Sequence, residues 1–152
     1  MIFSQRTDDH LPTPSPLSHT STLRVRYAET DQMGVVYHSN YLVWLEVGRT
    51  DLIRAHGIAY KDLERSGYGL AVAEVTIRYK APARYDDEIH VITRVSEVRS
   101  RSLRLEYEVM RPSDGVVLAT AYTALVSVDP ATGKPVALPP QIQALFNAPS
   151  AS

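Results

Sequence analysis

Leu23, Val25 and Tyr27 alternate with Arg24 and Arg26, the period of two that marks a strand with one buried face. The alternation stops at a polar, glycine-containing stretch, residues 29–34, and residues 35–38 carry no period of their own, so 29–38 reads as a loop. From Ser39 the period becomes helical. Tyr41, Trp44, Leu45, Gly48, Leu52 and Ala55 recur along one stripe, with Glu46, Arg49 and Arg54 elsewhere on the wheel. Ser39 suits the N-cap and Gly57 the residue just past the C-terminus, which predicts one helix over 39–56. Val43, Val47 and Ile53 make a second side apolar, so the helix is expected to be largely buried. A shorter helix is predicted over 60–65, closed by Gly67 and Gly69.

The rest of the chain reads as strands. Residues 70–79, 88–98, 102–110 and 116–128 are rich in Val, Ile, Leu, Thr and Tyr with local alternation. Ala81-Pro82 with Asp86-Asp87, then residues 98–101, then Ser113-Asp114-Gly115 supply the turns, and Asp129-Pro130 ends the last strand. The order β, long α, four β, with hairpin-length connections, predicts an α+β domain whose antiparallel sheet curls around one long helix. Such a sheet leaves edges bare, and pairing of edges between two copies of the chain covers them economically.

Composition changes this picture little. A chain of 152 residues, 44% hydrophobic, makes one domain. Residues 1–21, with prolines, Ser/Thr and no apolar run, are expected to be a disordered tail, 22–147 the folded domain, and 148–152 a second tail. A net charge of -1 argues against a nucleic-acid partner. Zero cysteines exclude disulfides and thiolate chemistry and are compatible with a cytoplasmic protein. No apolar run is long enough for an integral membrane segment. The five histidines show no metal-ligand spacing with carboxylates, so neither a metal nor another cofactor is expected.

The chemistry concentrates between Tyr27 and Tyr41, where a strand end, a glycine turn and a helix start meet within fifteen residues. Asp31 lies in the loop, and a helix N-terminus follows it. The unpaired amides of a first helical turn can stabilise an oxyanion, and a nearby carboxylate can act as base or nucleophile. Asp31 equally suits a plain turn cap.

Tyr27-x-x-Thr30-Asp31-x-x-Gly34-Val35-Val36-Tyr37-His38, continued by Leu45-Glu46 and Arg49, resembles the 4-hydroxybenzoyl-CoA thioesterase family of hotdog proteins. Within it the pattern is most similar to the bacterial acyl-CoA thioesterases associated with the Tol-Pal system. Tyr79 to Asp87, Val128-Asp129-Pro130, Pro135 and Leu138-Pro139 match further landmarks in order, so the resemblance covers residues 23–146. It implies a hotdog fold and hydrolysis of an acyl-CoA by a homo-oligomer, a dimer or dimer of dimers. It places the catalytic aspartate at Asp31, the amide that polarises the thioester carbonyl at or beside His38, and a further active-site member at Tyr27. Whether His38 works by side chain or backbone stays open, as does Asp31 as base or nucleophile.

CoA also carries phosphates. Arg99-Ser100-Arg101-Ser102 forms a basic hairpin turn and Lys134 lies in a later turn, so Arg99, Arg101, Ser102 and Lys134 are the candidate CoA-binding residues, with Arg84 a weaker one. Their other reading is a solvated hairpin tip. Glu46 reads as a packing or ion-pair residue, with Arg49 as partner, and Tyr37 and Asn40 as shape and capping residues. Three rivals to the thioesterase are a hotdog hydratase or dehydratase, whose histidine–aspartate loop chemistry is not matched because the acid here precedes the helix, an acyl-ACP thioesterase, and a non-catalytic acyl-CoA-binding module.

Overall fold

The computed structural model describes residues 17–57 and 69–146. The elements are β1 (Ser18–Arg24), α1 (Asn40–Ala55), β2 (Gly69–Tyr79), β3 (Glu88–Val98), β4 (Ser102–Arg111), β5 (Val116–Val128) and α2 (Pro140–Phe146). One antiparallel sheet has the order β1-β3-β4-β5-β2. Bulges at Val72/Glu74, Val95/Glu97 and Val109/Met110 interrupt its registers. Each adds twist and bend, which long strands need if they are to close over a helix.

The core follows the alternation read from the sequence. Ile89 and Val91 of β3, and Leu103, Leu105, Tyr107 and Val109 of β4, meet Tyr41, Trp44, Leu45, Leu52 and Ile53 of α1. Each such side chain, fully buried, contributes roughly 1.5–3 kcal/mol of transfer free energy. The helix lies over β1 and β3, the half of the sheet away from β2. At Gly48 it comes so close that a Cβ would collide with Thr93 Oγ1 and Val91 Cγ1. Past the helix, Gly57 takes φ +93° and its amide bonds Arg54 O.

Four expectations change. The first strand begins at Ser18, not Leu23: Ser18 to Ser21 pair with Arg94 to Val91, so part of the expected tail is sheet edge. Tyr27 is not in that strand but opens a 3₁₀ turn, Tyr27–Glu29. Ser39 makes no side-chain cap, because the first turn of α1 closes on backbone i→i−3 bonds to Tyr37, His38 and Ser39 carbonyls. Finally, α1 is buried on one side only: Leu42, Val43 and Val47 are exposed. Helix α2 was not marked by the sequence, and the helix expected over 60–65 lies outside the described residues.

Candidate active site

Residues 30–36 form a miniature hairpin. Thr30 bridges Val36, the Asp31 amide bonds Val35 O, and the Gly34 amide bonds Asp31 O across a tight turn. Gly34 has φ +80°, a conformation glycine adopts without the steric penalty a side chain would meet. Asp31 serves this turn: its Oδ1 accepts the Met33 amide at 2.8 Å and the Val35 amide at 3.4 Å. The capping role and a reactive role are therefore compatible. Among the described residues, Oδ2 accepts no hydrogen bond.

The hairpin is docked at both sides. Val36 N–H bonds Ala83 O, and Val35 bridges Arg84. That 82–87 segment is itself braced by Arg111, which donates to Asp87 Oδ2 at 3.0 Å and Pro82 O at 3.2 Å while also bonding Asp114. The hydrogen bond to Asp114 is the main cause of a raised Arg111 pKa, and the same bond holds the exposed Asp114 carboxyl below its ordinary value.

Beyond the hairpin the chain enters α1. The Tyr37 amide bonds Glu29 O, and the Asn40 amide bonds Tyr37 O. The amides of His38 and Ser39 have no acceptor among the described residues, and they sit at the positive end of a sixteen-residue helix. The Tyr79 hydroxyl donates to His38 O at 3.0 Å, and burial pushes that phenol's pKa up, so it stays a donor. The His38 ring is exposed, 4.4 Å from the Tyr37 ring and 6.3 Å from Tyr79.

Glu29 is the residue that sequence reasoning passed over. Its side chain is buried, and its Oε1 accepts the Arg26 amide at 2.8 Å while Oε2 accepts Trp44 Nε1–H at 3.1 Å. Its carbonyl also accepts Asn40 Nδ2 at 2.9 Å. Arg26 NH2 lies 3.6 Å from the same carboxylate. The available signal was an unexplained glutamate inside a loop, two residues before Asp31.

The expected site residues fall into two groups. Asp31 and His38 share the docked loop, whereas the Tyr27 ring turns outward, 74% exposed, and packs edge-on against Tyr85. No hydrogen bond links the side chains of Asp31, His38 and Tyr27 among the described residues. Arg99, Arg101, Ser102 and Lys134 lie together at the far end of the sheet. The Arg99 amide bonds Ser102 O, the Ser127 amide bonds Arg101 O, and Leu138 N–H reaches Ser100 O. Lys134 O accepts the Asp129 amide in the adjoining turn. Arg99 pairs with Glu97 at 2.7 Å, and Arg101 and Lys134 have no carboxylate partner among the described residues. Arg84 belongs to the Asp31 end instead. Glu46 is exposed and does not pair with Arg49, which is buried beside Tyr107 and helps hold that phenol against the upward push of burial.

A family model described as thioesterase-like superfamily matches residues 25–146. This chain belongs to the thioesterase-like superfamily. Its fold is the hotdog fold expected from the resemblance. The Bacillus subtilis protein YneP is 40% identical over 75% of this chain and 82% of its own length. The Escherichia coli acyl-CoA thioester hydrolase YbgC is 36% identical over 82% of this chain and 92% of its own. The crystal structure of the Staphylococcus aureus DHNA-CoA thioesterase superposes with a TM-score of 0.82 at 32% identity, covering 85% of this chain and 88% of that one.

Proposed function

We propose that this protein is an acyl-CoA thioesterase, converting an acyl-CoA and water to a free acid and CoA. The carrying observation is the loop just described: a carboxylate with one oxygen fixed by turn amides and the other unbonded, tied to a helix start that presents two unpaired amides. The thioester carbonyl oxygen is received by the amide of His38 or Ser39. Asp31 Oδ2 then either takes a proton from the attacking water or attacks the carbonyl carbon itself. In both routes the C–S bond breaks and the thiolate leaves, taking up a proton to become CoA; in the second route water then hydrolyses the acyl–Asp31 anhydride, which frees the acid and restores the carboxylate. The relatives named for acyl-CoA hydrolysis support this chemistry, and the DHNA-CoA enzyme supports an aromatic acyl group beside a short aliphatic one. Similarity to YbgC supports the finer placement in the Tol-Pal-associated subgroup of the 4-hydroxybenzoyl-CoA family. A cytoplasmic location, where CoA esters are made, is part of the same reading.

The working unit is a homodimer or a dimer of dimers. Asp31 lies by the Glu88 end of β3 and Arg99 beyond its Val98 end, separated by roughly 30 Å of strand at about 3.3 Å per residue. One pantetheine arm does not span that length. Strand β2 has β5 on one side only, and Val72 and Tyr79 of β2 are exposed, as are Leu42, Val43 and Val47 of α1. Two-fold antiparallel pairing of β2 with a second copy covers the edge. It also sets the Tyr79 end, next to His38, against the other copy's Gly69 end, next to its basic turns. A thioester at Asp31 of one protomer then leads its nucleotide to the basic turns of the other.

The direct test is a free-thiol assay with butyryl-CoA, longer acyl-CoAs and benzoyl-CoA. Thiol release is expected from at least one. None from any would favour the non-catalytic module, and faster release from acyl-ACP would move the carrier from CoA to ACP. For the shared site, Asp31→Asn protein mixed with Arg99→Ala/Arg101→Ala protein and allowed to exchange subunits should regain turnover at low substrate. A mass of one chain by light scattering would end the dimer reading.

A further inference from the structure

We infer that Glu29 is a positioning residue for the reaction: it is the strut that holds the His38–Ser39 amides at a fixed distance from Asp31. The inference rests on the thioesterase reading above and deepens it. Glu29 stands between the two halves of the site and is bonded to both. Its backbone carbonyl takes the Tyr37 amide and the Asn40 side chain, one on each side of His38 and Ser39. Its carboxylate takes the indole N–H of Trp44, one turn further into the helix. On the other side, two residues along the chain, Asp31 is fixed by its own hairpin.

The chemistry requires this. A buried carboxylate, 6% exposed, is costly unless its oxygens are satisfied, and here both oxygens accept N–H donors from different segments. Neutral glutamine cannot reproduce that, since only one of its two terminal atoms accepts, and its NH₂ group would face either the Arg26 amide or the Trp44 indole N–H. One of the two segments is then released. Oxyanion donors act through pre-set geometry, and a displacement of about 1 Å costs on the order of a hundredfold in rate. Substrate affinity comes largely from the rest of CoA and is unaffected.

The test uses Glu29→Gln and, as a variant outside the buried site, Asn40→Ala, which removes only the side-chain bond to Glu29 O. With the better substrate of butyryl-CoA and benzoyl-CoA, E29Q should lower kcat about 30-fold or more and N40A about fivefold, each with KM within about threefold of wild type. A merely structural role is separated by spectroscopy. Asp31→Asn protein, loaded with the same ester carrying a 13C carbonyl, should show that carbonyl stretch shifted to lower frequency by the helix-start amides. Adding E29Q or N40A should shrink the shift, by half or more for E29Q. Should E29Q fail to fold, N40A carries both readouts. A folded E29Q protein with wild-type kcat, or a carbonyl band that neither substitution moves, overturns the inference. Absence of turnover in the unaltered protein overturns the thioesterase reading instead, and the carbonyl band still tests the strut there because it needs only binding.

Discussion

At the Glu88 end of β3 the loop is cross-tied by hydrogen bonds that leave Asp31 Oδ2 and the His38 and Ser39 amides open. Glu29, Thr30, Asp31, Gly34, Val36 and Tyr37 all exchange hydrogen bonds with one another or with Ala83. At the Val98 end the backbone is hydrogen-bonded too, but the basic side chains stand out from it: the Arg99 side chain is 71% exposed on a surface ion pair, and Arg101 and Lys134 are exposed. The contrast matches two physical tasks. Charge that develops in a transition state is stabilised by groups already in place, since reorganising them costs rate. A phosphate that keeps its charge throughout the reaction can be held by flexible cations, which contribute equally before and after the barrier. On the proposed reading, one end serves turnover and the other capture.

Asp31→Asn should strike hardest at this division. Asparagine keeps a carbonyl oxygen for the Met33 amide, so the hairpin survives while the charge is lost. A fall in kcat of about a thousandfold or more, with unchanged far-UV circular dichroism, is expected. Near-normal turnover in the folded variant would leave Asp31 as a turn cap and nothing else.

Arg111→Ala probes whether the tightness of that end is inherited from its brace. The side chain is largely buried and satisfies Asp87, Asp114 and Pro82 O together. Its loss should cost about 2 kcal/mol by urea unfolding and lower kcat/KM several-fold through the 82–87 segment. Full activity at reduced stability would separate brace from site.

Arg99→Ala with Arg101→Ala tests the capture end. KM for acyl-CoA should rise about tenfold, worth roughly 1–2 kcal/mol, with kcat spared, and added salt should erase part of the difference. A short acyl-pantetheine thioester, lacking the nucleotide, should not distinguish the two proteins. Equal impairment with both substrates would make the basic turn structural.

The smallest effect concerns Asp114. Arg111 holds its carboxyl below the ordinary value, so the contribution to stability is present above the unfolded-state pKa and is lost as pH falls through the lowered folded one. Asp114→Asn should therefore shift the urea midpoint slightly near neutral pH and not at all well below the carboxylate range. A difference that persisted in acid would assign it to packing.

Strands β3, β4 and β5 were legible almost to the residue, because alternating apolar positions are all a half-buried strand requires. The start of β1 was not. Ser18-His19-Thr20-Ser21-Thr22 offers no apolar alternation, and only its pairing with β3 makes it a strand. Helix α2 is hidden behind Pro139-Pro140, which reads as a breaker although proline is tolerated in a first helical turn, and buried Ile142 anchors it. The exposed side of α1 was mistaken for core because apolar composition does not say whether the chain's own sheet covers it. At the site, the motif led to Asp31 and His38, yet the bonds of Glu29 could not be foreseen: they join residues up to fifteen positions apart across a loop with no period. The expected partnership of Glu46 with Arg49 failed because the spacing of three residues permits a pair without requiring one.

Gly48 carries a warning for anyone engineering a hardier version of this protein. Exchanging glycine for alanine inside a helix ordinarily gains about 1 kcal/mol, and Gly48 is the single glycine of α1, so it heads any list of such candidates. Here the added methyl would land on Thr93 Oγ1 and within 2.9 Å of Val91 Cγ1, on a strand that cannot retreat without breaking its pairing with β1 and β4. The helix would have to rise off the sheet, carrying its first turn with it. An exchange meant to stiffen the protein would thus displace, two turns away, the helix start proposed to receive the thioester carbonyl.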